Sequence, residues 1–214
     1  MRKAAIVDWD DTLFDIEEFK REYFRFLGHH IFTYAGFVDL INIYEKAKAK
    51  GWYDADEHIR LLVEKSPIEH NREKVIEDIK RFIQETSQKF LFSDAEPFLK
   101  YIANLGYTIY FVTLGTEWFQ QSKIEHSGLA KYGLVTVTQD PTKIKEVKNL
   151  RTHVDRVLIF DDSKKVIEEV RNNFPRDLCP EIKAMYVWRR GDRPPFSADA
   201  IISNLSNVEG LQIR

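Results

Sequence analysis

A single cysteine, Cys179, in 214 residues excludes an intrachain disulfide and fits a reducing compartment. Neither sign of charge is in excess: 32 Lys and Arg stand against 34 Asp and Glu, for a formal net charge of -2. No basic stripe with interleaved aromatics occurs, so no nucleic-acid partner is expected. Long hydrophobic runs are missing as well. After Arg2 and Lys3 only about four apolar residues precede Asp8, short of the roughly 7–15 of a secretory signal core and the ~20 of a membrane span. A soluble, cytoplasmic protein with no membrane association is therefore expected. Internal repeats, low-complexity tracts and one-sign tails are also absent from the sequence. What remains is 43% hydrophobic residues, enough for one ordinary domain plus a small insertion.

The most informative stretch is Ile6-Val7-Asp8-Trp9-Asp10-Asp11-Thr12-Leu13, where a short apolar run leads into three carboxylates within four residues. Alone, it is equally readable as a solvated acidic turn. A second apolar run, Val157-Leu158-Ile159-Phe160, ends the same way in Asp161-Asp162-Ser163. Crowded carboxylates repel one another unless a cation or a shifted pKa relieves them. In an open parallel sheet, residues that end different strands meet in one crevice, where converging carboxylates make a hard-oxygen site for Mg2+.

Short apolar runs at residues 4–7, 107–112, 134–138, 157–160 and 184–187 read as buried parallel strands. Helical spacing fills 97–105, 117–126 before Gly128, 142–150, and 164–174 before Pro175. Strand and helix alternate, which implies right-handed crossovers and a Rossmann-like, doubly wound, mainly parallel α/β sheet. The exception is 15–92, where helical spacing alone is found. The apolar positions there suggest four helices, over 17–27, 37–47, 57–63 and onward from an Asn71 N-cap, with turns at 51–54 and 65–67. The chain is thus expected to form a core from 1–14 and 93–214, interrupted by an all-helical insertion at 15–92.

Three further positions lie where the crevice should be. Thr113 follows the strand Tyr110-Phe111-Val112, with Leu114 and Gly115 after it, and Lys143 follows Asp140-Pro141, read as an N-cap and first helical residue. The order DxD-Thr-Leu, strand-Thr, Lys, strand-Asp-Asp resembles the haloacid dehalogenase superfamily, over the whole expected core and including a late strand at 198–202. The insertion sits where phosphoglycolate phosphatase-like members carry a helical cap.

That resemblance implies roles. Asp8 would be the nucleophile that forms an aspartyl-phosphate, and Asp10 the general acid and base, its pKa raised by the acids around it. Thr113 would bind a phosphoryl oxygen, helped by free amides of Leu114 and Gly115 at the start of the next helix. Lys143, with Lys145 as the alternative, would hold Asp8 and offset the transferring charge. Asp162 and Asp8 would ligate Mg2+ together with the Asp10 carbonyl, and Asp161 would do so through water or as an alternate. Asp11 stands where the family often has Gly. Trp9 would face away from the phosphate, toward the substrate entrance.

Displacing a halide needs no proton donor, so Asp10 favours phosphoryl transfer over dehalogenation. The resemblance therefore implies a Mg2+-dependent phosphatase acting on a small phosphorylated metabolite. A phosphotransferase such as a sugar-phosphate mutase, or a non-catalytic metal- or phosphate-binding member, is the alternative. His29, His30, Tyr34, Lys48, Trp52 and Arg60 are the insertion's candidate specificity residues. The first helix's aromatics are expected in a core rather than in a pocket. The basic cluster at 188–193 is read as a solvated loop near the crevice.

Overall fold

The computed structural model describes residues 1–33, 36–190, 194–195 and 197–210. Its sheet contains β1 (Lys3–Val7), β2 (Tyr107–Leu114), β3 (Gly133–Thr138), β4 (Arg156–Asp161), β5 (Ile182–Val187) and β6 (Ala200–Ile202). The order is β3-β2-β1-β4-β5-β6, and all neighbours are parallel. The direction of winding reverses at β1. Strands β2 and β3 build outward on one side and β4 to β6 on the other, so the crevice beyond β1 and β4 is the switch point.

Alternate strand residues serve two apolar layers, as the two-residue period of a strand requires. Ala5, Val7, Ile109, Phe111, Leu158 and Phe160 face α5 (Ala95–Asn104) and α6 (Glu117–His126). Ile6, Val112, Val157 and Ile159 face α7 (Ile144–Arg151) and α8 (Lys164–Asn173). The expected strand runs are all present. Two are less buried than their composition suggests, because β3 and β6 are sheet edges: Leu134 and Ile201 are more than half exposed.

Between β1 and α5 lie α1 (Ile16–Phe26), α2 (Phe37–Ala47), α3 (Ala55–Lys65) and α4 (Arg72–Thr86), with a π-helical turn at Leu27–Ile31 after α1. Side-chain N-caps set three of the starts. Asp15 accepts from Glu18 N (2.9 Å), Asp54 from Glu57 N (3.0 Å) and Asn71 from Lys74 N (2.8 Å). Of the α1 aromatics, Phe19, Tyr23 and Phe24 are buried, in a cluster that continues into the sheet layer, where Phe19 meets Phe14 at 5.4 Å and Phe119 of α6 at 6.0 Å. Phe26 is partly buried, and Phe19 and Tyr23 also line a cavity, against the expectation of a core alone. The chain segments that lead into and out of these helices lie side by side. Asp15 N donates to Phe90 O (2.7 Å) and Phe92 N to Leu13 O (3.0 Å).

The expected start of α7 is corrected. Asp140 does not cap the helix; its carboxylate accepts from the amide (2.9 Å) and the hydroxyl (2.6 Å) of Thr142, closing a tight turn. Lys143 itself is the N-cap, with φ +56°. An Asp side chain that bonds its own backbone two residues on favours a turn over a helix.

The basic cluster is also corrected. Arg189 is mostly covered and grips both oxygens of Asp94 (2.6 and 2.7 Å) and the carbonyl of Thr12 (3.0 Å), with Phe92 under its guanidinium. Arg190 pairs with Asp15 (2.6 Å) and Asp11 (3.1 Å). Both charges are spent on fastening the loop after β5 to the loop after β1. Trp188 is exposed, and Gly191, Asp192 and Arg193 lie outside the described residues. Arg189→Met leaves a buried carboxylate without its cation and is expected to cost about 3 kcal/mol or more in urea unfolding; a change under about 1 kcal/mol would show the clamp to be incidental.

Candidate active site

Strand pairing explains why distant acids meet. Val7 stands opposite Phe160, and Asp8 N donates to Phe160 O at 2.9 Å, so Asp8 and Asp161 leave adjacent strands side by side. One carboxylate oxygen from each of Asp8, Asp161 and Asp162 falls within a mutual 4.8 Å. Lys143, 4% exposed, reaches into this group from the turn before α7. Its ammonium donates to Asp8 Oδ1 at 2.5 Å and to Asp161 Oδ2 at 2.7 Å. Lys145 is exposed, and only its amide approaches Asp140, so Lys143 is the lysine of the crevice.

The two acids of the second motif differ in their bonding. Asp161 is fully engaged, by Lys143 and by the amide of Ser163 on Oδ1 (2.8 Å). Asp162 has no hydrogen-bond donor or cation on its carboxylate among the described residues. Burial raises its pKa, and the neighbouring charges of Asp8 and Asp161 push it further up. Burial also raises that of Asp8; Lys143 opposes the shift and Asp161 adds to it. Burial works against the charge on Lys143, but Asp161 and Asp8 outweigh it and its pKa is raised. An uncompensated carboxylate facing two others is a donor set of hard oxygens that suits a divalent cation.

Asp10 points elsewhere. Instead of standing among acids, its carboxylate is held by the ammonium of Lys123 (2.6 and 2.8 Å) and by the side-chain amide of Gln120 (3.0 Å). Lys123 is wholly buried, ringed by Phe14, Phe19 and Phe119 at 5.1 to 5.6 Å. Burial lowers its pKa, with Asp10 opposing. Sequence reading missed Lys123 and Gln120. The available signal was their place on the same stripe of α6 as the buried Phe119 and Ile124, where an apolar residue would be the default.

Thr113 is buried at the end of β2 and lines the crevice with Leu114. The expected pair of free amides at a helix start is not found. Gly115 N is directed at Thr138 O (3.4 Å), and α6 begins only after the Thr116 N-cap. The hydroxyl of Thr116 instead accepts from Ala55 N of α3 (2.8 Å). Asp11 has φ +55°, the region that favours glycine and that Asp tolerates. Trp9 does not face an entrance. It is fully buried against Phe14 and Phe111, because the strand's alternation turns it to the opposite side from Asp8.

Two cavities meet at Asp10 and Leu114. One, of about 210 Å³, holds Asp8, Thr113, Lys143, Asp161 and Asp162. The other, of about 240 Å³, lies between α1, α2 and α6 and includes Lys48 and Trp52. Of the remaining specificity candidates, His29 and His30 are exposed on a separate groove and Arg60 is tied to Glu57 and Glu64 on the outer face of α3. Tyr34 lies outside the described residues.

A family model described as haloacid dehalogenase-like hydrolase matches residues 2–163. No curated protein matches the sequence. Among solved structures, a haloacid dehalogenase-like hydrolase of Burkholderia xenovorans superposes with a TM-score of 0.77 at 14% identity, over 99% of this chain and 100% of that one. A HAD phosphatase of Thermococcus onnurineus gives 0.67 at 19% identity, over 97% and 96%. A 2-haloacid dehalogenase of Pseudomonas syringae gives 0.65 at 18% identity, over 98% and 97%. At these identities the likeness is one of fold. Among the described residues, no helix is long and apolar enough to cross a membrane.

The raised carboxylates carry a sign. Asp8 and Asp162 move from 3.8 to about 7 and about 9, so above pH 3.8 the metal-free folded state binds more protons than the unfolded one, and its stability falls as pH rises through this window. The unfolding midpoint in chelator is therefore expected to drop between about pH 5 and about pH 8, and added Mg2+ to raise it more at the higher pH. A midpoint that rises with pH in chelator would contradict the charge arrangement.

Proposed function

The chain belongs to the haloacid dehalogenase-like hydrolases, and on that premise we propose that it is a Mg2+-dependent phosphatase that cleaves a small phosphomonoester through an aspartyl-phosphate on Asp8. The observation that carries this reading is the position of Asp10. Asp10 lines both the acidic cavity and the aromatic one, where it would stand beside a leaving oxygen between phosphoryl group and alcohol. A leaving halide would have no use for it.

Asp8 and Asp162 would hold the cation directly, with the Asp10 carbonyl, while Asp161, already engaged by Lys143 and Ser163, would serve through water. When bound, Mg2+ supplies positive charge that offsets the phosphoryl oxygens and the crowded acids. Lys143 fixes the Asp8 carboxylate in its attacking position and removes part of its charge, so that an anionic phosphoryl group can approach. Thr113 orients that group by a hydrogen bond from its hydroxyl. Asp8 attacks phosphorus in line as the bond to the alcohol oxygen breaks, and Asp10 gives that oxygen a proton. Asp10 then takes a proton from the water that hydrolyses the aspartyl-phosphate, and the buried ammonium of Lys123 offsets its charge between the two steps. Residues 15–92 would form the cap, keeping bulk water from the reacting centre.

Release of inorganic phosphate from p-nitrophenyl phosphate is expected with Mg2+ and not with chelator, and Asp8→Asn should abolish it. Asp10→Asn should cost roughly 10²- to 10⁴-fold on an alkyl phosphate, and much less on p-nitrophenyl phosphate, whose leaving group needs no proton. Interconversion of a phosphosugar pair without phosphate release would replace the hydrolase by a phosphotransferase.

A further inference from the structure

The cavity beyond Asp10 has a composition that the phosphoryl-transfer chemistry does not require. Tyr44 of α2 and Tyr53 of the following turn lie nearly parallel, with centroids 4.7 Å apart, and Phe119 of α6 meets Tyr53 edge-on at 5.2 Å. Phe19, Tyr23 and Trp52 complete the aromatic walls. The rings are fixed. The Tyr53 hydroxyl is bonded to His58 Nδ1 at 2.7 Å and approaches the Tyr23 hydroxyl at 3.4 Å, and Tyr44 packs on Phe24 at 5.3 Å. Such preorganised faces lose little conformational freedom when a flat ligand settles on them.

Among the described lining residues of the cavity, lysines outnumber carboxylates. Asp10 is the only carboxylate among its described lining residues, whereas Lys20 and Lys48 each bring an ammonium to 5.5 Å from the Tyr44 ring. Both are paired with glutamates outside the lining, Lys20 with Glu17 at 2.6 Å and Lys48 with Glu45 at 3.6 Å, so the aromatic walls rather than the charges set the preference. Volume narrows the choice further. About 240 Å³ is the space of roughly eight waters at ~30 Å³ each, which suits a substituted ring and is too small for a disaccharide.

We propose that this cavity is the alcohol subsite and that it selects phosphomonoesters whose alcohol carries a planar aromatic ring. The inference rests on the phosphatase reading of the adjoining acidic crevice. The phosphoryl group would sit on Asp8, the bridging oxygen beside Asp10, and the ring in the cavity against the walls that Phe19, Tyr44, Trp52 and Tyr53 line.

Two hydrolysis-resistant probes of matched charge, benzylphosphonate and cyclohexylmethylphosphonate, test it by calorimetric titration of the whole protein in Mg2+. The aromatic probe is expected to bind roughly three- to tenfold more tightly, the worth of one well-placed ring contact. Tyr44→Leu should bring the ratio near one and Tyr44→Phe should restore it; a ratio of two dissociation constants does not depend on how much of a variant is folded. Equal or reversed affinities in the parent protein, or a ratio unmoved by Tyr44→Leu, would overturn the proposal. Faster phosphate release from glycerol phosphate than from benzyl phosphate would overturn the subsite and leave the phosphatase standing. Selective binding of benzylphosphonate by a protein that hydrolyses no ester would support the subsite and sink the phosphatase.

Discussion

Three carboxylates and one ammonium crowd one crevice at the end of the sheet, and the rest of the architecture is arranged around that conflict. The pairing of β1 with β4 forces Asp8 and Asp161 together, and Asp162 follows one residue on. Lys143 compensates two of the three. It does so from a turn that has to bend through a left-handed residue to aim the side chain inward, a conformation that costs about 1 kcal/mol or more for a residue with a Cβ. The uncompensated remainder, Asp162, is what makes the site receptive to a cation.

Much of this was legible because it depends on short-range pattern. Continuous apolar runs announced the strands, and acids at their ends announced the crevice. What escaped depends on tertiary context. Lys123 reads as a solvent-facing helix residue until α1 and the loop after β1 close over it with Phe19 and Phe14. Arg189 and Arg190 read as a solvated basic loop because their acid partners, Asp94, Asp11 and Asp15, are far away in sequence. Leu134 looked buried by composition, and only its place at the sheet edge exposes it. The start of α7 misled for a local reason: Asp140-Pro141 suits a turn as well as a helix cap, and the side chain of Thr142 decides between them.

The site is divided by character. One side is polar, crowded with acids and suited to a charged group; the other is walled by rings and bordered by lysines. Asp10 belongs to both, and Lys123 and Gln120 hold it to α6 rather than to the acids beside it in sequence. The residue at the boundary thus has a cation of its own, separate from the one that serves Asp8 and Asp161.

The helices between β1 and α5 begin and finish at the same place, where residues 13–15 and 90–92 are hydrogen-bonded to each other. A loop whose ends are already joined can be lengthened, shortened or replaced without changing any distance the sheet must span, and longer closed loops add little entropic cost. The sheet and its acidic crevice can therefore stay constant while the segment between the joined ends changes in length.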